Sequence, residues 1–130
     1  MLAKRGLRFG RDRRRTDAVT DAVTDDSHDP EAYVEAVLAV VERIPAGKVM
    51  AYGAIADYLA DRFSRGSARR VGRIMALHGG SVPWYRVVNA TGRTPPGHEA
   101  RARVRLTAEG VTFRGERVNM ALHAWFPPSG

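Results

Sequence analysis

Cysteine is missing from all 130 residues, which removes disulfides, thiolate metal sites and every reaction that passes through a thiolate nucleophile. The histidines, His28, His78, His98 and His123, are dispersed and form no HxxxH or HExxH pair that would set two ligands on one helical face. No metal site and no cofactor site is therefore expected. What remains with chemical character is cationic and aromatic. Arg69, Arg70 and Arg73 cluster around Gly72, and the run Pro83-Trp84-Tyr85-Arg86-Val87-Val88 brings aromatic rings beside a guanidinium. Residues of these types bind: guanidinium groups pair with phosphates and stack on bases, and a tryptophan face offers a wide apolar surface. With 21 Lys and Arg against 14 Asp and Glu, the net charge of +7 favours a polyanionic partner, because cations that neutralise phosphates release condensed counterions. Nucleic acid is the first candidate.

The elements that must position these residues can be read from caps and periodicity. Residues 1–28 form an arm, basic through Arg15 and then the low-complexity acidic stretch TDAVTDAVTDD. It is expected to be disordered, since neither half can bury much. Residues 29–130 should form one folded domain. Asp29-Pro30 reads as a helix start, with an N-cap and a proline at the first helical position. Tyr33, Val37, Val40, Val41 and Ile44 then recur at helical spacing until the Pro45-Ala46-Gly47 turn. A second helix is expected from Tyr52 to Leu59. Ser67 caps a third, whose apolar face is Val71, Ile74, Met75 and His78 and whose arginines point away from that face. Ser81 to Asn89 reads as extended, followed by a turn to Gly92 and a polar, Pro-rich loop, Arg93 to Gly97. A fourth helix runs from His98 to Glu109 and stops at Gly110. Val111–Phe113 and Glu116–Val118 flank Gly115 as a short hairpin, and Trp125 and Phe126 should pack onto the core.

Helix, loop and basic helix followed by a hairpin suggest a mainly α domain with a small β element, of winged helix-turn-helix type. Apolar residues make up 44 % of the chain, yet no apolar run approaches the roughly 20 residues that span a bilayer. The Arg-rich start lacks an apolar segment behind it, so no secretory signal is read, and a cytoplasmic, nucleoid-associated address is expected. No membrane partner is expected.

The residues themselves resemble the DNA-binding domain of the O6-alkylguanine-DNA alkyltransferases over about Asp29 to Pro127. IPAGKVMAYGAIADYL, from Ile44 to Leu59, is similar to the family's proline-glycine turn and Tyr-Gly helix. SARRVGRIM, from Ser67 to Met75, resembles its recognition helix. PWYRVVNATG, from Pro83 to Gly92, falls where active members carry a proline-cysteine-histidine-arginine-valine motif, and LTAEGV, from Leu106 to Val111, resembles the segment ending in a Glu-Gly pair. Ordered matches of this kind are far more specific together than singly. Trp84 stands where the acceptor cysteine would be, the hallmark of the alkyltransferase-like branch. Tyr85 departs from the branch, which usually has histidine there.

The resemblance implies a non-enzymatic reader of O6-alkylguanine in double-stranded DNA, acting by nucleotide flipping and marking lesions for nucleotide excision repair proteins. It assigns Arg69 to the space left in the base stack and Tyr52 to the target phosphate, with Arg70, Gly72 and Arg73 on the DNA-binding helix. It assigns Pro83, Trp84, Tyr85, Arg86, Val87 and Val88 to the alkylguanine pocket. Trp84 offers only an N–H donor and cannot attack an alkyl group, phenols titrate near about 10, and Glu109 is left a structural role. The competing reading is a winged-helix regulator that binds a defined or general DNA sequence without lesion preference. Such regulators usually dimerise, and the absence of a heptad pattern or spare amphipathic helix favours a monomer.

Overall fold

The computed structural model describes residues 29–128, so the arm expected over 1–28 lies outside the described residues. The first helix, α1, spans Pro30–Arg43. Its start is dictated locally: the Asp29 carboxylate accepts the amides of Glu31 and Ala32 at 3.0 and 3.2 Å, and Pro30 fills a position that needs no amide donor. A short strand, β1 (Met50–Ala51), runs directly into α2 (Tyr52–Tyr58). The next helix, α3 (Ala68–His78), begins at Ser67, whose hydroxyl accepts the Arg70 amide at 3.1 Å. These are the expected helix, loop and basic helix, and α2 and α3 pack directly on one another and on α1.

The principal core lies between the three helices and includes Tyr33, Val37, Val41, Ile55, Phe63, Val71 and Ile74. Tyr33 meets Phe63 edge to face, with ring centroids 5.0 Å apart. Its hydroxyl lies against Gly66, where a Cβ would come within 2.2 Å of the oxygen, so the α2–α3 loop needs glycine there. A smaller cluster of Val49, Val88, Leu106, Val111 and Val118 joins α4 (Glu99–Ala108) to a hairpin of β3 (Phe113–Arg114) and β4 (Arg117–Val118), after which the helical turn α5 covers Met120–His123. The hairpin falls where expected, with Phe113 opposite Val118. Among the described residues no helix is long and apolar enough to cross a membrane.

The structure corrects several sequence expectations. Ser81 to Asn89 is not extended throughout. Gly79–Ser81 and Trp84–Arg86 are 3-10 turns, and only Val87–Val88, here β2, is strand. Val82 donates to the Gly79 carbonyl and Arg86 to the Pro83 carbonyl, so the backbone satisfies itself locally instead of along a ladder. Strand β2 pairs in parallel with β1, Met50 opposite Val87 and Ala51 opposite Val88; two residues are too few for any periodic signal. Trp125 packs on the core, but Phe126 is 66 % exposed. His78, the last residue of α3, is also exposed, because the core-facing stripe ends at Ile74 and Met75.

One carboxylate ties these pieces together. Glu109, at the end of α4, accepts Arg86 Nε at 3.0 Å on Oε1, and Arg86 Nη2 closes the fork on Oε2. The remaining Arg86 nitrogen, Nη1, donates to the Ile44 carbonyl at 2.8 Å. Glu109 also accepts the Gly47 amide at 3.1 Å and the Tyr85 hydroxyl at 3.2 Å. Both charged side chains are largely shielded, 15 % and 16 % exposed. His123 extends the network: Nε2 accepts the Thr112 amide at 3.0 Å, so the opposite nitrogen, Nδ1, carries the proton and donates to the Gly47 carbonyl at 3.2 Å.

Burial pushes the Glu109 carboxyl upward, but the hydrogen bonds from Arg86 and Gly47, the Arg86 charge and the Tyr85 hydroxyl outweigh it and hold the group below the ordinary carboxylate range. A depressed folded-state pKa contributes stability that is fully present above the unfolded value and lost as pH falls through the folded one. Glu109→Gln is therefore expected to lower stability at pH 7 by about 2 kcal/mol, a fall in Tm of roughly 10 °C. Thermal melts across pH should show the gap between the two proteins narrowing once pH drops below about 4; a gap unchanged with pH would show that the charge of Glu109 is not what matters.

Candidate nucleic-acid interface

Helix α3 carries the basic residues on its outward side, and the structure separates their roles. Arg69 and Arg73 are exposed and make no ion pair or hydrogen bond among the described residues. Arg70 differs from expectation: it is half-buried, its guanidinium 4.3 Å from the centroid of the Tyr33 ring, so it braces the core instead of facing solvent. Gly72 lies three residues after Arg69, on the same side of the helix and one turn further along.

Beside that side of α3 opens a cleft of about 280 Å³. One wall is α3 itself, through Gly72, Met75 and Ala76. Tyr52, the first residue of α2, closes one part, and Trp84 in the 3-10 turn supplies the aromatic surface. The opposite wall is Pro95 and Pro96 with His98 and Arg101 at the start of α4. The loop is held in place by the Asn89 side chain, which accepts the amides of Thr91 and Arg93, and by Gly92, whose φ of 92° brings a backbone approach to Val118 that a Cβ would block at 2.6 Å. None of the residues lining the cleft is acidic.

Trp84 is a contact point for its neighbours. Its ring meets Tyr85 at 5.6 Å and His98 at 5.7 Å, both edge to face, and Arg101 lies over it at 5.3 Å. Tyr52 is partly buried, and that burial raises its phenol pKa, so it stays a neutral hydroxyl through the physiological range. It also lines a second cavity of about 590 Å³ on the other side of Pro96, where Arg93, Arg103, Glu99 and Glu116 mix both signs of charge.

Of the residues assigned to an alkylguanine pocket, the structure brings Trp84 to the cleft together with Tyr52 and Gly72. Pro83, Tyr85 and Arg86 line a shallow open depression with Arg105 on the far side of the same turn. Tyr85 is held there by Glu109 and by the guanidinium groups of Arg105 at 5.2 Å and Arg86 at 5.3 Å. Val87 and Val88 are completely buried, because the turn delivers them into the β2 strand and the core. Sequence reasoning missed Met75, Pro95, Pro96, His98 and Arg101 as cleft residues. A signal did exist for the last two: His98, the residue before α4, makes no side-chain cap, and Arg101 is a cation in a first turn that also carries Glu99. Among the described residues no group of three or more acidic, histidine or cysteine side chains could hold a metal ion.

The chain can now be compared with known proteins. Residues 32–111 match the family model described as 6-O-methylguanine DNA methyltransferase, DNA binding domain. Alkyltransferase-like protein 1 of Schizosaccharomyces pombe is 40 % identical over 108 residues, covering 75 % of this chain and 96 % of that protein. The DNA base-flipping protein of Escherichia coli strain K12 is 33 % identical over 101 residues, covering 73 % of this chain and 75 % of that protein. Among solved structures, the Schizosaccharomyces pombe alkyltransferase-like protein in complex with damaged DNA containing O6-carboxymethylguanine superposes with a TM-score of 0.61 at 33 % identity, over 75 % of this chain and 97 % of that one. The recognition-helix pair, the Trp84 turn and the Glu109 anchor all lie within the matched span, and the chain belongs to the 6-O-methylguanine DNA methyltransferase DNA-binding-domain family, in its alkyltransferase-like branch.

Proposed function

We propose that this protein reads O6-alkylguanine in duplex DNA by rotating the damaged nucleotide into the cleft between α3 and the Pro95-Pro96 loop, and that it removes nothing. The observation that carries the reading is the cleft itself: an acid-free pocket lined by Trp84, opening one turn along α3 from Arg69, which is exposed and unpaired among the described residues. Its volume of about 280 Å³ is near the lower end of small-ligand sites, roughly 300 Å³. Arg69 is placed to enter the gap that a flipped base leaves, since a planar guanidinium both stacks and hydrogen-bonds. Tyr52, a neutral phenol at the cleft rim, is placed to press on the target phosphate. Arg73 supplies phosphate attraction that is independent of sequence. An alkylated guanine pairs poorly with cytosine, so it leaves the stack more cheaply than guanine, and this difference is a source of selectivity.

The same geometry argues against transfer of the alkyl group. The chain has no thiol, and Trp84 has no lone pair to give. Tyr85 donates its hydroxyl hydrogen to Glu109, but a carboxylate held below its ordinary range is too weak a base to take a proton from a phenol. Glu109 instead fixes the turn that presents Trp84. A protein that finds a lesion without repairing it acts by marking it, and the plausible recipients are nucleotide excision repair proteins, with this chain acting as a monomer in the nucleoid.

Two measurements test the reading. In fluorescence-anisotropy titrations at fixed salt, a duplex containing O6-methylguanine is expected to bind at least tenfold more tightly than its guanine counterpart, and Arg69→Ala and Trp84→Ala are each expected to erode that preference. Equal affinity for both duplexes would leave a general DNA-binding module. Gly72→Ala offers a sharper contrast: beyond its chain neighbours and the helix's own backbone, no atom lies within 4 Å of the added methyl, and mid-helix alanine is more favourable than glycine by roughly 1 kcal/mol. The variant should therefore melt higher while losing lesion preference, because the methyl enters the cleft; a variant that melts higher and discriminates as well as before would remove Gly72 from the pocket.

A further inference from the structure

Arg101 is the one charged side chain among the residues lining the cleft, and it lies against Trp84. Arg101 is exposed, lies 5.3 Å over the Trp84 ring and donates to His98 Nδ1 at 3.4 Å, leaving the other guanidinium donors without a carboxylate partner among the described residues. The carboxylate nearest along the helix, Glu99, lines the neighbouring cavity and not this cleft. A cation stacked on an aromatic ring is held in place by the ring's face, so its donors are aimed at little entropic cost.

Resting on the lesion-reading function above, we infer that Arg101 gives the cleft a preference for O6 substituents that end in an anion, such as carboxymethyl, over neutral substituents of the same size. In the orientation that turns the O6 edge of an alkylguanine on Trp84 toward Arg101, the O6 substituent ends beside that guanidinium. A terminal carboxylate then gains a charge-assisted hydrogen bond, about twice as strong as a neutral one. An amide of nearly identical shape accepts from the same cation but lacks the attraction between two full charges. Because Arg101 is solvent-accessible, screening reduces the difference, and about fivefold in affinity is expected.

The test uses the full chain and duplexes that differ at one base: O6-carboxymethylguanine, its neutral isostere O6-carbamoylmethylguanine, and guanine. The wild-type protein should bind the carboxymethyl duplex about fivefold more tightly than the carbamoylmethyl duplex, and Arg101→Gln should bring that ratio to near one while both lesions remain preferred over guanine. Raising the salt concentration should shrink the ratio in the wild type only. A ratio near one in the wild type, or one that survives Arg101→Gln, would overturn the inference while leaving lesion reading intact. An equal loss of affinity for all three duplexes on Arg101→Gln would overturn it in favour of a phosphate contact. Failure of the wild type to prefer either lesion over guanine would overturn the inference together with the function on which it rests.

Discussion

A single half-buried carboxylate, that of Glu109, sets the position of the turn that carries Trp84. Glu109 accepts hydrogen bonds from Arg86, Tyr85 and Gly47, drawing the turn after α1, the 3-10 turn of Trp84 and the end of α4 onto one point. These segments are remote in sequence, Gly47 and Glu109 being separated by 62 positions. Arg86 extends the tie to the end of α1 through the Ile44 carbonyl. The fork geometry of guanidinium and carboxylate admits one orientation, so the backbone on either side of Arg86 is fixed. Trp84 therefore projects into the cleft because its neighbours cannot: Tyr85 and Arg86 are committed to Glu109, and Val87 and Val88 are committed to the core. A residue can be freed for recognition only when the residues around it are held.

That division of labour explains a feature of the chain's chemistry. An acid, a phenol and a tryptophan in contact have the outline of a reactive site, but the acid is saturated with donors and the phenol is one of them. Groups that might have activated a nucleophile have been turned into scaffold, and the remaining open side chains, Tyr52, Arg69, Trp84 and Arg101, are suited to stacking, filling and attracting.

Much of this architecture was legible in the sequence where the signal is local. Asp29, Pro30 and Ser67 marked helix starts that their side chains form, and the spacing of Tyr33, Val37 and Val41 marked a buried face. The hairpin about Gly115, with its positive φ, followed from turn chemistry. What failed was set by tertiary contact. Val87 and Val88 pair with Met50 and Ala51 over two residues, below the reach of any periodic pattern, and the β-rich composition around them suggested a longer strand than Pro83 allows. Arg70 was indistinguishable from Arg69 in sequence, since only the proximity of Tyr33 decides which of them turns inward. For the cleft, the motif pointed to Trp84, while the opposite wall of Pro95, Pro96, His98 and Arg101 read as a connecting loop and a helix start.

Lesion reading as proposed requires a damaged base to lie against Trp84. The chain has two tryptophans, and the other, Trp125, packs on the core, so a Trp125→Phe protein carries a single emitter in the cleft. Its fluorescence can be followed during titration with an O6-methylguanine duplex and with the matching guanine duplex, each taken to saturation. Stacking of an extruded base on the indole predicts strong quenching by the lesion duplex and little by the other. The same emission change with both duplexes would place the lesion outside the cleft and contradict the account.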